Sequence, residues 1–98
     1  MPRKLTSEEA TQAKLQLMDE IEKGDLSLGQ AVRRMRLITG KSQKDFANNI
    51  IGISPRILAE IERGVANPTV DTLNKIGRPF GYTVGFVRLK LVPYLRID

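Results

Sequence analysis

The sequence predicts an all-α fold of five helices followed by one C-terminal β-strand. Three observations carry that prediction. Apolar residues recur at intervals of three and four along most of the chain. Hydroxyl side chains and glycines interrupt the pattern where helices should begin and end. After Gly81 the period shortens towards two and the composition turns to Val, Phe, Tyr and Thr, which suits a strand. A chain of 98 residues with 41% apolar and 28% charged residues has room for a single folded domain of modest stability.

Each element follows from its own residues. Thr6 or Ser7 caps a leader helix, with Glu8 and Glu9 in its first turn, where the helix dipole favours anions. Ala10, Ala13, Leu17 and Ile21 keep helical spacing, with Met18 beside them, and Gly24 ends the run. Ser27 with Gln30 three residues later forms a capping box for a second helix. Its apolar stripe is Leu28, Ala31, Val32, Met35 and Ile38; Arg33, Arg34 and Arg36 lie mostly off it, and Gly40 stops it. Ser42 opens a third helix, Gln43 to about Ile50, with Phe46, Ala47 and Ile50 facing inward. Gly52 supplies a turn, and Ser54-Pro55 starts a fourth helix with a cap and a proline at its first position. Leu58 and Ile61 share its inner face, and Gly64 ends it. Asn67-Pro68-Thr69 leads into a fifth helix with Val70, Leu73 and Ile76 three apart, closed by Arg78-Pro79 and Gly81. From Tyr82 to Val92 the chain alternates, with Val87, Leu89 and Leu91 on one side and Arg88 and Lys90 on the other, until Pro93. The expected organisation is a leader helix over residues 1–26, a helical body over 27–81, and a strand and tail over 82–98.

Charge separates the leader from the body. Residues 1–26 hold four Lys/Arg and six Asp/Glu, a net of −2, while residues 27–98 hold twelve and five, a net of +7. A basic body suits a polyanionic partner. The chain has no Cys and no His, which excludes disulfides, Cys/His zinc sites, histidine bases and cysteine nucleophiles. It also lacks a phosphate loop or glycine-rich nucleotide motif. Carboxylates such as Asp19, Glu20 and Glu22 lie among lysines on the leader helix and read as solvated. Neither an enzyme nor a cofactor is expected. No apolar stretch approaches the roughly 20 residues that span a bilayer, and Met1-Pro-Arg-Lys-Leu-Thr has no signal-type apolar core, so the expected location is the cytoplasm.

The third and fourth helices, joined by a short glycine-containing turn, make a helix-turn-helix unit. Phe46, Ala47, Ile53, Leu58 and Ile61 would hold them at a steep angle, leaving Arg56, Ile57, Ala59, Glu60 and Arg63 outward on the second. Such a helix fits the major groove of DNA. Ser42-Gln-Lys-Asp-Phe-Ala, Gly52-Ile-Ser, Ile61-Glu-Arg-Gly64 and Asn67-Pro-Thr together resemble the Cro/C1-type (XRE) family, which includes the lambda and 434 phage repressors. The resemblance covers about Leu28 to Gly81 and implies a lambda-repressor-like domain that binds double-stranded DNA. One departure stands out. The family usually places three residues between the alanine of the first helix and the turn glycine; here Asn48, Asn49, Ile50 and Ile51 make four.

The resemblance also implies roles. Arg56 and Glu60 occupy base-reading positions, suited to guanine and to cytosine N4, and Ile57 could touch a thymine methyl. Pro55 stands where a polar reader is common. Gln43 would bind a phosphate or brace the recognition helix, while Lys44, Ser54, Arg63 and Asn67 complete the DNA-facing set, chiefly towards phosphates. Arg36 and Glu62 match a structural ion pair of the family. Read as an ordinary surface, Arg56 and Glu60 are i, i+4 partners, Ile57 packs on the turn, and Arg33 and Arg34 are solvated.

A lone strand leaves its backbone groups unpaired. Pairing with the same strand of a second copy would satisfy them by two-fold symmetry and give a homodimer matched to a palindromic operator. Gly81-Tyr-Thr-Val-Gly-Phe-Val-Arg resembles the HipB-like antitoxin repressors of toxin–antitoxin operons, which implies repression of the protein's own promoter and a partner toxin. A phage or housekeeping regulator without a toxin and a protein–protein adaptor are the alternatives. The leader helix could pack on the body, extend the dimer or contact a toxin.

Overall fold

Helix starts in this protein are written in hydroxyl side chains, and the computed structural model, which describes residues 4–88, places each of them as a cap. Thr6, Ser27, Ser42, Ser54 and Thr69 each accept a hydrogen bond from a backbone N–H two or three residues into the helix that follows. Thr6 with Glu9 and Ser27 with Gln30 close full capping boxes. The resulting helices are α1 (Ser7–Lys23), α2 (Leu28–Thr39), α3 (Gln43–Asp45, continued as a π-helical turn over Phe46–Ile51), α4 (Pro55–Arg63) and α5 (Val70–Gly77), followed by a 3-10 turn over Arg78–Phe80.

The extra residue before Gly52 is absorbed inside α3. The Gly52 N–H donates to the Ala47 carbonyl at 2.7 Å, an i→i−5 bond in place of the α-helical i→i−4. The turn itself is unaltered in kind: Gly52 has φ +83°, a left-handed conformation that residues with a Cβ rarely adopt. The wider turn moves the inward register by one position. Ile51 is buried and Ile50 is 38% exposed, the reverse of the expectation from α-helical spacing.

One core joins all five helices. Leu17 of α1, Val32 and Met35 of α2, Phe46, Ala47 and Ile51 of α3, Leu58 and Ile61 of α4, and Ile76 of α5 are buried together. Phe80 packs on this cluster, its ring 6.2 Å from that of Phe46. The leader helix packs on the body: Leu17 enters the core, and Arg34 of α2 reaches Glu20 of α1 at 2.9 Å. Glu20 and Arg34 are therefore partners rather than solvated ions, whereas Asp19 pairs with Lys23 on open surface. Leu28 and Val70 were expected in the stripes of their helices, yet both are largely exposed. Each is the first residue of its helix and projects beyond the end of the core.

The α2–α4 contact is unusually close. A Cβ at Gly29 would lie 2.5 Å from the Ile61 carbonyl oxygen and 2.9 Å from that of Glu62, so only glycine fits there. This approach brings Arg36 to Glu62. The guanidinium donates twice to the carboxylate, Nε to Oε2 at 2.8 Å and Nη2 to Oε1 at 3.0 Å, with side chains only 10% and 4% exposed. Arg36 Nη1 donates to the Lys41 carbonyl, and Gln43 Nε2 donates to Glu62 Oε1. Among the described residues, no buried side-chain nitrogen or oxygen lacks a partner.

The expected strand is not seen within its described part: residues 82–88 carry no regular secondary structure. A strand is defined by its ladder, and no second strand lies among the described residues to pair with this segment. The remainder of the expected strand lies outside the described residues. Removing one partner of the Arg36–Glu62 pair would strand a buried charge. Glu62→Ala should therefore lose about 3 kcal/mol of stability in urea titration, and Arg36→Met with Glu62→Leu together should lose much less.

Candidate nucleic-acid interface

α4 is the second helix of the helix-turn-helix unit, and its inner face is held firmly against the body. Leu58 and Ile61 are buried and the Glu62 carboxylate is held inside, so α4 cannot roll about its axis without breaking all three attachments. The opposite face carries Arg56, Ile57, Ala59, Glu60 and Arg63. The Arg56 side chain is 86% open to solvent, against 32% for Glu60. Ile57 is 41% exposed. Of the set expected outward from spacing, Arg56, Ile57 and Arg63 are exposed, while Ala59 and Glu60 are half-buried.

Pro55 opens α4 at its first position, behind the Ser54 cap, whose Oγ accepts from the Ile57 N–H at 3.1 Å. A hydroxyl that accepts in this way retains a proton to donate, and the helix start adds N–H groups that attract anions. The half-buried Pro55 has no polar group to offer a base.

Arg56 and Glu60 approach each other, Nε to Oε2 at 3.4 Å. The geometry is long and the pair is exposed, so it contributes at most a few tenths of a kcal/mol. Opening it on contact with another charged or polar surface costs little. The pair keeps two polar groups one turn apart on the face that would meet base edges.

Gln43 is half-buried and its amide braces α4 through Glu62. Lys44 stands exposed in the first turn of α3. Arg63 is exposed in the last turn of α4, and Asn67 in the loop that follows. The side chains of Lys44, Arg63 and Asn67 make no hydrogen bond or ion pair among the described residues. The structure thus joins Gln43 to the α4 scaffold and Arg56 to Glu60, and leaves Lys44, Arg63 and Asn67 as separate exposed groups. Sequence reasoning missed Arg34–Glu20, which fixes α1 to α2, and a side-chain clamp by Asn74 on the segment after α5. An asparagine inside a helix, where its propensity is poor, was the available signal for the second.

Two capped helices at a fixed angle, the second with a polar outer face on a basic body, define a DNA-binding helix-turn-helix domain. The model of the helix-turn-helix family matches residues 32–87, more than half of the chain, and the chain belongs to that family, of the Cro/C1 (XRE) type. It is a DNA-binding transcription regulator. Comparison with curated proteins and with solved structures finds no match. Among the described residues, no helix is long and apolar enough to cross a membrane.

Arg56→Ala should weaken binding to the preferred sequence by about 1–3 kcal/mol and relax the choice at one base pair. Lys44→Ala should weaken all duplexes alike and lower the slope of affinity against salt. Competition titrations with specific and random duplexes separate the two behaviours.

Proposed function

We propose that the protein is a sequence-specific transcriptional repressor that acts as a homodimer on a palindromic operator. The observation that carries this reading is the immobilised α4 with its open Arg56. The helix is fixed from behind by a buried ion pair and presents in front a guanidinium held only by its long, exposed contact to Glu60. Arg56 reads the O6/N7 edge of guanine, Glu60 accepts from cytosine N4 on a neighbouring pair, and Ile57 contacts a thymine methyl. Lys44, Arg63, Asn67 and the Ser54 hydroxyl at the start of α4 hold phosphates, which set the register without reading sequence. Gln43 acts from behind, as a brace.

The dimer is supported by the need of this interface for a second copy and by the segment after Tyr82. Val87 is 85% exposed and Phe86 is fully open, so two apolar side chains are offered to solvent beside an unpaired backbone. Two copies joined there would carry their recognition helices to successive major grooves, about 34 Å apart. Bound across a promoter, such a dimer excludes polymerase.

The antitoxin role rests on the resemblance of Gly81 to Arg88 to HipB-like repressors. A toxin-like gene beside this one, and co-purification of its product with the chain, is the test of that role. Without it the protein is a stand-alone regulator.

The repressor reading is tested by retention on duplex DNA at increasing salt. Steeply salt-dependent binding with a preferred sequence is the expected result; no binding at low salt would leave only an adaptor role. Deletion of residues 85–98, which spares the packed Tyr82, should convert dimers to monomers in sedimentation equilibrium. A dimer that persists would place the interface elsewhere.

A further inference from the structure

The chain after the last helical turn is tied to α5 by one side chain. Asn74 Oδ1 accepts two hydrogen bonds, from the Thr83 hydroxyl at 2.9 Å and from the Val84 N–H at 3.0 Å. One turn further along α5, the Gly77 carbonyl accepts from the Tyr82 N–H at 3.0 Å. Past Val84 these attachments stop. Gly85 has open space around it, and Phe86 and Val87 stand clear of the body.

Apolar packing anchors the start of this segment, where Tyr82 sits against the core. Beneath Tyr82–Val84 a pocket of about 210 Å³ opens between α2 and α5, walled by Ala31, Val32, Leu73 and Ile76. Side chains at the rim of an open pocket can shift at little cost, whereas hydrogen bonds are directional. Val84 also spends its N–H on Asn74, so any ladder with another strand begins beyond it.

We propose that Asn74 is a positioning residue for assembly. Its clamp on Thr83 and Val84 fixes the direction in which Phe86 and Val87 are presented to the same segment of a second copy. It thereby sets the distance between the two α4 helices. The inference rests on the dimeric reading above. A second copy is the occupant because two-fold symmetry sets the exposed Phe86 and Val87, and a backbone without regular pairing among the described residues, against their own equivalents. Half-site spacing on DNA is a geometric demand, and a joint left loose at 82–84 would have to be ordered at the moment of binding.

The experiment compares the full-length wild type with Asn74→Ala, Asn74→Asp and Thr83→Val. Sedimentation equilibrium gives the dimer dissociation constant. Duplexes selected from a random library by the wild type are rebuilt as single half-sites and as inverted pairs with spacers changed one base pair at a time. Asn74→Ala should dimerise about tenfold more weakly and lose its preference among spacers, with single half-site affinity unchanged. Asn74→Asp keeps the acceptor oxygens and should match the wild type. Thr83→Val, at an exposed position that does not threaten folding, should weaken the dimer about threefold. A dimeric wild type with an unaltered Asn74→Ala constant and spacer profile overturns the clamp and leaves the dimer standing. Equal losses on single and paired half-sites, or an Asn74→Asp protein that behaves like Asn74→Ala, also overturn it. A wild type that sediments as a monomer overturns the dimeric reading and the clamp with it.

Discussion

The buried pair between Arg36 and Glu62 is the constraint on which the DNA-binding face depends. Taking two charges out of water is unfavourable, and the loss is offset only where geometry is good and the remaining donors and acceptors are used. Here the fork of the guanidinium meets the carboxylate in two bonds, a third nitrogen takes the Lys41 carbonyl, and Gln43 takes a further share of the carboxylate. The network therefore touches α2, the loop after it, α3 and α4 at once. Apolar contacts hold these elements together but are not directional. A planar, bidentate pair is directional, and it fixes how far α4 turns and which residues it leaves outward. Gly29 belongs to the same constraint, since without its close approach to the end of α4 the two charges would not meet.

Against that fixed frame, α3 is where the chain gives way. An inserted residue in the first helix of the unit could have displaced the turn and rotated α4. Instead a single i→i−5 turn takes up the extra length between Ala47 and Gly52. Ala47 remains buried where the helices approach, and Gly52 keeps its left-handed turn. The cost is displaced to the side away from the ion pair, where Ile50 is pushed towards solvent and Ile51 takes its place.

What could be read from the residues, and what could not, follows the range of the interactions. Caps and glycine stops act over three or four residues, so Thr6, Ser27, Ser42, Ser54 and Thr69 were all legible as helix starts. The outward face of α4 was legible because an uninterrupted nine-residue helix keeps its period. Ile50 and Ile51 were exchanged because the number of residues before Gly52 shows that something must yield but not which bond. Leu28 and Val70 obey the apolar period yet sit at helix ends, and the period contains no information about where a core stops. Arg34 with Glu20 joins positions fourteen apart whose meeting depends on how α1 crosses α2. The strand expected after Gly81 has the right composition, but a strand is a relation between two segments, and composition describes only one.

If α4 reads bases as proposed, its chemistry makes one copy a poor reader of DNA. A good bidentate base contact discriminates by about 1–3 kcal/mol, and specific sites are typically preferred over random DNA by about 4–10 kcal/mol. In the proposed interface Arg56 is the one residue suited to a strong bidentate base contact. Pro55 presents no polar group, Ile57 offers only a methyl-sized contact, and Glu60 gains from cytosine while opposing the phosphates around it. Such a helix reaches the lower part of the specific range at best. The proposed pair of copies would double the base contacts and the phosphate contacts together. The doubling is realised in full only if both helices arrive already spaced, since ordering a loose joint on DNA would consume what the second helix contributes. In the proposed dimer, a weak reader on a rigid mount would place its specificity in the geometry between copies as much as in the side chains that touch the bases.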